Sequence, residues 1–367
     1  MPLTTDEIMN RALGLVLGVA VGDAKGIGYE LLTRQQILEL KQTREKENES
    51  TDEKEMLYPH VTTSNPYIPH DWPCGRWTDD TQLTLAMVRA ISKSIETKTP
   101  LFSNEGMSYI VEEHITEWKE CVHGWGGTKT AIENLNNKSH TYKNSGNTTS
   151  VGNGVLMKIA PLAFYYYILD EKTPVERLER DDEIEILCRM THNTTVAVMS
   201  ACVFVKMSIY AFKHSLSSHA ERLSFLDYAS QVAIHYEHKY GLDIDKDVKN
   251  ILSTRIKRYI QELKQTDSIS EETLISVSNG GTFFCVDSLS MVIGLLACQV
   301  PSFDTVVRAT EIGGDTDSNA AMIGALVGGM KGQKEIDEHH VKYLYRTDYV
   351  RQVGEEFGAK LVDFYEK

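Results

Sequence analysis

Basic charge is in short supply in this chain of 367 residues: 38 lysines and arginines stand against 52 aspartates and glutamates, a net charge of −14. That balance disfavours a nucleic-acid or anionic-membrane surface. It leaves room for an anionic ligand, which needs only local N–H groups or a metal. Paired cysteines are lacking too. The six present (Cys74, Cys121, Cys188, Cys202, Cys285, Cys298) are scattered without a CxxC pair, so they read as small core residues in a reducing, cytoplasmic compartment. An uncharged apolar run of 18 residues is also missing, and no membrane-spanning helix is expected. The apolar run 12–21 is preceded by Asp6 and Glu7 rather than by a basic cluster, and Thr4-x-x-Glu7 has the form of a capping box. It reads as a buried first helix over 5–21, not as a signal peptide. Alternating β-branched runs do not exceed a few residues. The expected fold class is therefore all-α, a compact orthogonal helical bundle forming one domain over 1–367. No GK[ST] phosphate loop occurs, and no bidentate glutamate closes an EF-hand loop after Asp315.

What stands out against these absences is a pair of acidic helix starts. Thr78-Asp79-Asp80 is followed by Leu83, Met87, Ala90 and Ile91; Asp315-Thr316-Asp317-Ser318 is followed by Ala320, Ala321, Ile323 and Leu326. Both follow-on runs have helical spacing, so each acidic group occupies a first helical turn. Acids there commonly cap free N–H groups and complement the helix dipole. One acid suffices for that, and each start carries two. Crowded carboxylates repel unless a cation lies between them. Carboxylates with a hydroxyl suit hard cations such as Mg²⁺, Mn²⁺ or Ca²⁺, and two such groups facing each other would suit two metals about 3.5–4 Å apart.

Other stretches are ambiguous one by one. Gly22 to Glu30 carries three glycines in seven residues and reads as a turn that ends the first helix, with Asp23 and Glu30 as turn or cap residues or as site carboxylates. Gly152-Asn153-Gly154 reads either as a capping turn or as a cradle of N–H groups for an anion, with a helix continuing from Met157. His192 opens a helix and reads as a cap or a ligand contact, whereas His339 and His340 read as surface. Trp72 and Trp77 read as packing residues, as do Phe283 and Phe284. Residues 331–367 read as a polar tail with one short helix.

Taken in order, Gly22-Asp23, Tyr29-Glu30, Thr78-Asp79-Asp80, Gly124-Trp125-Gly126-Gly127-Thr128, Gly152-Asn153-Gly154 with Met157, Thr191-His192 and Gly314-Asp315-Thr316-Asp317-Ser318 resemble the ADP-ribosylglycohydrolase family. The matching blocks run from about Leu13 to Gly329, and the ordered set is more specific than any one block. The resemblance implies a metal-dependent hydrolase with two Mg²⁺ (or Mn²⁺) held by Thr78, Asp79, Asp80, Asp315, Asp317 and Ser318, with Glu30 nearby. It implies Asp79, Asp80 or Glu30 as catalytic groups that position water. It also implies a substrate pocket made by Gly124, Trp125, Gly126, Gly152, Asn153, Gly154, Met157 and His192, and Lys158 stands where many relatives have arginine.

The implied reaction cleaves the bond from C1 of the distal ribose to an acceptor on an ADP-ribosylated protein, releasing ADP-ribose. Arginine is the favoured acceptor. Serine-linked ADP-ribose, O-acetyl-ADP-ribose and a non-catalytic binding role on the same fold remain as alternatives. Residues 41–75 and 213–280 match the family least and are expected to be variable insertions shaping the rim. Oligomeric state is not legible.

Overall fold

Glycine at every fourth position decides the centre of the fold. Gly14, Gly18, Gly22 and Gly26 fall on one stripe of the helix Thr5–Gly26, because residues four apart lie one above the other. The helix Thr316–Lys331 presents Ala320, Gly324 and Gly328. The two run antiparallel with their backbones in contact. A Cβ on Gly18 would lie 2.1 Å from the Gly324 carbonyl oxygen, and one on Gly324 would lie 2.0 Å from that of Gly18. Gly22 meets Ala320 and Gly26 meets Thr316 and Asp317 in the same way. Every residue from Ala12 to Gly26 is buried.

The structure, a computed structural model, describes residues 3–47, 52–62, 65–120, 123–173, 180–243 and 246–367. It is all-α as expected: seventeen α-helices and three short 3-10 helices among the described residues, with isolated β-bridges and no strand. The helices Asp79–Thr97, Thr195–Lys213, Cys285–Cys298 and Thr347–Glu366 wrap the glycine-lined pair and share one hydrophobic core with it. Arg11 ties three of these layers together, donating to the Gly329 and Phe212 carbonyls and to the Tyr167 hydroxyl. A smaller apolar cluster of Ile27, Val61, Ile68 and Trp72 holds the polar excursion after Tyr58 against the start of the site.

Among the described residues two helical stretches, Thr5–Tyr29 and Thr195–Lys213, are apolar and long enough to cross a membrane. Both are packed into the core, and their apolar length is spent on neighbouring helices. Cys188, Cys202, Cys285 and Cys298 are buried free thiols and Cys74 is half-buried. Cys121 lies outside the described residues.

Several expectations need correction. The first helix does not stop at Val21: Gly22 and Gly26 serve close approach to the partner helix rather than a turn, and the backbone stays helical through both. No helix starts at Met157; it begins at Ala160, after a run of turns. The region 41–75 contains the end of the helix Arg34–Glu47 and the short helix Glu53–Leu57. The C-terminal stretch is no tail. It forms Glu338–Tyr343 and the long helix Thr347–Glu366, which buries Val350, Val353, Phe357 and Leu361. His340 is buried, not on the surface, with Nδ1 3.1 Å from Asp337.

The seam makes a direct prediction. Gly18→Ala forces two backbones apart and should cost about 3 kcal/mol. Gly241→Ala, at a left-handed position with open space around it, should cost about 1 kcal/mol. Urea titrations followed by circular dichroism compare them. Equal midpoints for the two variants would mean that the helices do not touch at this crossing.

Candidate active site

The helix Asp79–Thr97 begins at Thr78, whose side chain makes no cap of its own. The cap comes from another helix. Asp23, one turn before the end of Thr5–Gly26, accepts from the Thr78 N–H at 2.9 Å and the Thr81 N–H at 3.0 Å. It also accepts from the hydroxyls of Thr78 at 2.9 Å and Thr81 at 2.6 Å. Four donors on one carboxylate satisfy the orphan N–H groups of the helix start. They also turn the Thr78 proton towards Asp23, so that the oxygen, 3.3 Å from Asp80 Oδ2, keeps lone pairs for the acidic side. Asp23 was legible as a turn or cap residue or as a site carboxylate. It is a cap, for a helix 55 residues away.

The second acidic start is set by Gly313 and Gly314, both at positive φ. A Cβ on Gly314 would lie 2.1 Å from the Gly280 carbonyl oxygen, so the chain turns tightly against the 280–282 loop before Thr316–Lys331 begins. Thr316 donates to the Gly26 carbonyl at 2.8 Å. The glycine seam therefore ends at the site and brings the two acidic groups together.

Carboxylate oxygens of Asp23, Asp80 and Asp317 lie within 4.8 Å of one another, and so do those of Glu30, Asp315 and Asp317. Asp317 belongs to both sets. Asp79, Asp80, Asp315 and Asp317 are all buried. Burial, then the neighbouring negative charges, pushes Asp79, Asp80 and Asp317 well above the usual carboxylate range. Burial and the Asp315 charge push Glu30 up to about 7. Burial outweighs the donated hydrogen bonds at Asp23 and lifts it to about 6.

Asp80 Oδ1 and Asp317 Oδ1 are buried with no hydrogen-bond partner. The short ion pairs lie elsewhere, Arg89 with Glu117 and Arg255 with Asp287 among them. Buried carboxylates in this state need protons or cations. An all-oxygen donor set with orphaned oxygens on two facing aspartates fits hard divalent cations.

Above this floor opens a cavity of about 1140 Å³. Glu30, Asp79, Asp80, Asp315, Asp317 and Ser318 reach it from below. Gly124, Trp125, Gly126, Gly152, Asn153, Gly154, Met157 and His192 all contribute to its wall. Thr78 does not line the cavity; it lies beneath, between Asp23 and Asp80. Gly124 is needed because Asp79 presses on it: an added Cβ would come 2.2 Å from Asp79 Oδ1. Trp125 is buried and donates to Gln82 at 3.1 Å. The 150–154 loop is pinned by backbone bonds from Asn153 to Phe283 and from Cys285 to Val151, both 2.9 Å. Pro66, Tyr67 and Ile68 from 41–75 and Ile275, Asn279 and Gly280 from 213–280 line the cavity, as do Thr282 and Phe283 beyond them.

Lys158 does not reach the cavity; it is fully buried behind it. Two roles differ from expectation. The Asn153 amide is not left for a ligand, since it donates to Asp315 Oδ2 at 2.8 Å and to Ser288 at 3.1 Å. Phe283 is 62% exposed at the mouth, so it is not core, while Phe284 is partly buried against the core. Trp72 and Trp77 are buried packing residues. Asn65 was missed: its amide nitrogen donates to Glu30 Oε2 while its oxygen accepts from the N–H groups of Tyr67 and Ile68. No local pattern marks a partner 35 residues away.

The sequence profile of the family described as ADP-ribosylglycohydrolase matches residues 4–365. An uncharacterized protein of Archaeoglobus fulgidus is 26% identical over 353 residues, 95% of each chain. The ADP-ribosylarginine hydrolase Tri1 of Pseudomonas putida is 23% identical over 163 residues, 44% of this chain and 38% of that one. A solved structure described as an ADP-ribosylglycohydrolase-related protein complex shares the fold, with a TM-score of 0.62 at 20% identity over 97% of this chain and 99% of that chain.

The raised carboxylates set a pH dependence. Folded Glu30 keeps its proton up to about pH 7, whereas in the unfolded chain it loses it near 4.5. Its protonated form therefore favours the fold, and that contribution is lost as the pH rises between those values. Glu30→Gln has no such proton to lose. In EDTA it should gain thermal stability relative to the unsubstituted chain from about pH 4.5 to 7. Mg²⁺ should then raise the midpoint of the unsubstituted chain more at pH 7 than at pH 5, where protons compete for the same oxygens. Scanning calorimetry reads both effects, and no Mg²⁺ shift at pH 7 would reduce the paired acids to helix caps.

Proposed function

The chain belongs to the ADP-ribosylglycohydrolase family, whose activity is hydrolysis of ADP-ribosyl linkages, and from that premise we propose that it releases ADP-ribose from ADP-ribosyl-arginine on proteins. The observation that carries the reading is the convergence of the two acidic helix starts on a cavity floor, with Asp80 Oδ1 and Asp317 Oδ1 unpartnered. The arginine acceptor is favoured by the name of the Pseudomonas putida relative, and by Gly124-Trp125-Gly126-Gly127-Thr128 and Ser318.

Thr78, Asp79, Asp80, Asp315, Asp317 and Ser318 would hold two divalent cations of the Mg²⁺ or Mn²⁺ kind. Bound there, they would supply a Lewis acid for the ribose hydroxyls and lower the pKa of water. The chain's own groups account for the rest. Asn65 holds Glu30 Oε2, leaving Oε1 for a proton, and a carboxyl pushed up to about 7 is matched to proton transfer near neutrality. Water adds to C1 of the ribose as the bond from C1 to the guanidinium nitrogen breaks. The proton taken by Glu30 ends on the departing guanidine, which leaves as a guanidinium. The surrounding carboxylates supply negative potential to the positive charge that develops on the sugar. The diphosphate is met by local donors rather than by net charge, at the 126–127 backbone, at the N–H groups of Gly152 and Gly154, and at His192.

The test is release of free ADP-ribose from an arginine-ADP-ribosylated protein and, in parallel, from a serine-ADP-ribosylated peptide. Mg²⁺ should support release from the arginine substrate and EDTA should abolish it. The double variant Asp315→Ala/Asp317→Ala should be slower by about 10³-fold or more. Release from the serine peptide alone would transfer the reading to that acceptor. Retained metal-independent release by the double variant would overturn the roles given to the acids.

A further inference from the structure

Lys158 is a charge in the interior that the site does not use. It is fully buried, and among the described residues its hydrogen-bond partners include no carboxylate. Its partners are His114 Nε2 at 3.2 Å and Thr191 Oγ1 at 3.4 Å. Thr191 Oγ1 lies 2.9 Å from His192 Nδ1, and His192 lines the cavity. At the far end, His114 Nδ1 lies 2.7 Å from the Ile110 carbonyl oxygen.

With Lys158 charged, the chemistry of these groups allows one direction only. A carbonyl oxygen accepts, so His114 Nδ1 carries the hydrogen and its Nε2 is an acceptor. An ammonium only donates, so Lys158 donates to His114 Nε2 and to Thr191 Oγ1. A buried hydroxyl must use its own hydrogen, and the acceptor at hand for Thr191 is His192 Nδ1. His192 then carries its hydrogen on Nε2. That atom faces the glycine loop: a Cβ on Gly154 would lie 3.1 Å from it, and one on Gly152 3.9 Å. Burial holds His192 down at about 3 and His114 well below its usual range, so both rings are neutral. Burial also brings Lys158 down to about 7.

We propose that Lys158 is a positioning residue which, through Thr191, locks His192 in the tautomer that presents an Nε2–H donor to the anionic diphosphate of the ligand at the 152–154 loop. The proposal rests on the ADP-ribose reading for the identity of the ligand, but not for the tautomer. A neutral donor suits this wall. A histidine free to take the other tautomer would turn a lone pair towards phosphate oxygens for part of the time. An imidazolium would be costly at this depth. Lys158 thus acts on the cavity without entering it, which explains a lysine whose hydrogen-bond partners among the described residues include no carboxylate.

The experiment is long-range ¹H–¹⁵N NMR of the histidine rings in the full chain without ligand, with the His192 signals assigned by their loss in His192→Gln. The expected result is an unprotonated, pyridine-like Nδ1 and a protonated Nε2. Thr191→Val removes the hydroxyl without changing the shape and should mix the tautomers; Thr191→Ser should restore the original one. Lys158→Met fills the same space without donors and should also mix them. ADP-ribose affinity, measured by calorimetry, should fall about tenfold in Thr191→Val and Lys158→Met, the loss of one hydrogen bond to a charged group, and recover in Thr191→Ser. A protonated Nδ1 in the unsubstituted chain overturns the proposal. So does an unchanged tautomer in a folded Thr191→Val or Lys158→Met. The expected tautomer without any ADP-ribose binding would instead overturn the functional reading and leave the hydrogen-bonded chain standing.

Discussion

The backbone contact between Thr5–Gly26 and Thr316–Lys331 is the constraint from which the site follows. Side chains at Gly14, Gly18, Gly22 or Gly324 would separate the two helices. The contact runs from Gly14 to Gly26 and ends where Gly26 meets Thr316 and Asp317. Asp23 and Asp317 are therefore held on opposite helices at the same level. Asp23 in turn reaches out to start the helix that carries Asp79 and Asp80. One packing solution, repeated every fourth residue, assembles carboxylates from sequence positions nearly 300 apart.

Electrostatics works against this assembly. Like charges buried together raise one another's proton affinity and weaken the fold when all are ionised. The structure offsets that strain with directed hydrogen bonds rather than with counter-ions. Four donors hold Asp23, Asn153 holds Asp315, and Asn65 holds Glu30. Two oxygens, on Asp80 and Asp317, are left with nothing. A stable apolar core around the glycine seam is what allows a destabilising floor of this kind to persist, the usual relation between a scaffold and a strained site.

The same economy explains how an acidic chain accommodates an anionic ligand. Net charge is a property of the whole surface, whereas recognition uses a few groups at short range. The cavity wall opposite the carboxylates is made of glycine backbone, a neutral histidine and a buried tryptophan. Positive charge lines the cavity at Arg34 and Lys129, and Lys158 stands one layer back.

The acidic helix starts, the glycines and the scarcity of strand patterns were all readable along the chain, and they carried the helical class and the members of the site. They were readable because capping, periodicity and ligand clustering act within a few residues. The same local view misled at Gly22 and Gly26, since glycine in a turn and glycine in a helix crossing look alike until the partner helix is known. It was silent on the place of Lys158, because a sequence displays charge but not depth. Asn65 had no local signature at all, and nothing near Asp23 told which helix it caps, their partners being 35 and 55 residues away. Which atoms face one another, and which are left without partners, was settled by long-range packing, because burial and hydrogen-bond direction belong to pairs of residues that only the folded chain brings into contact.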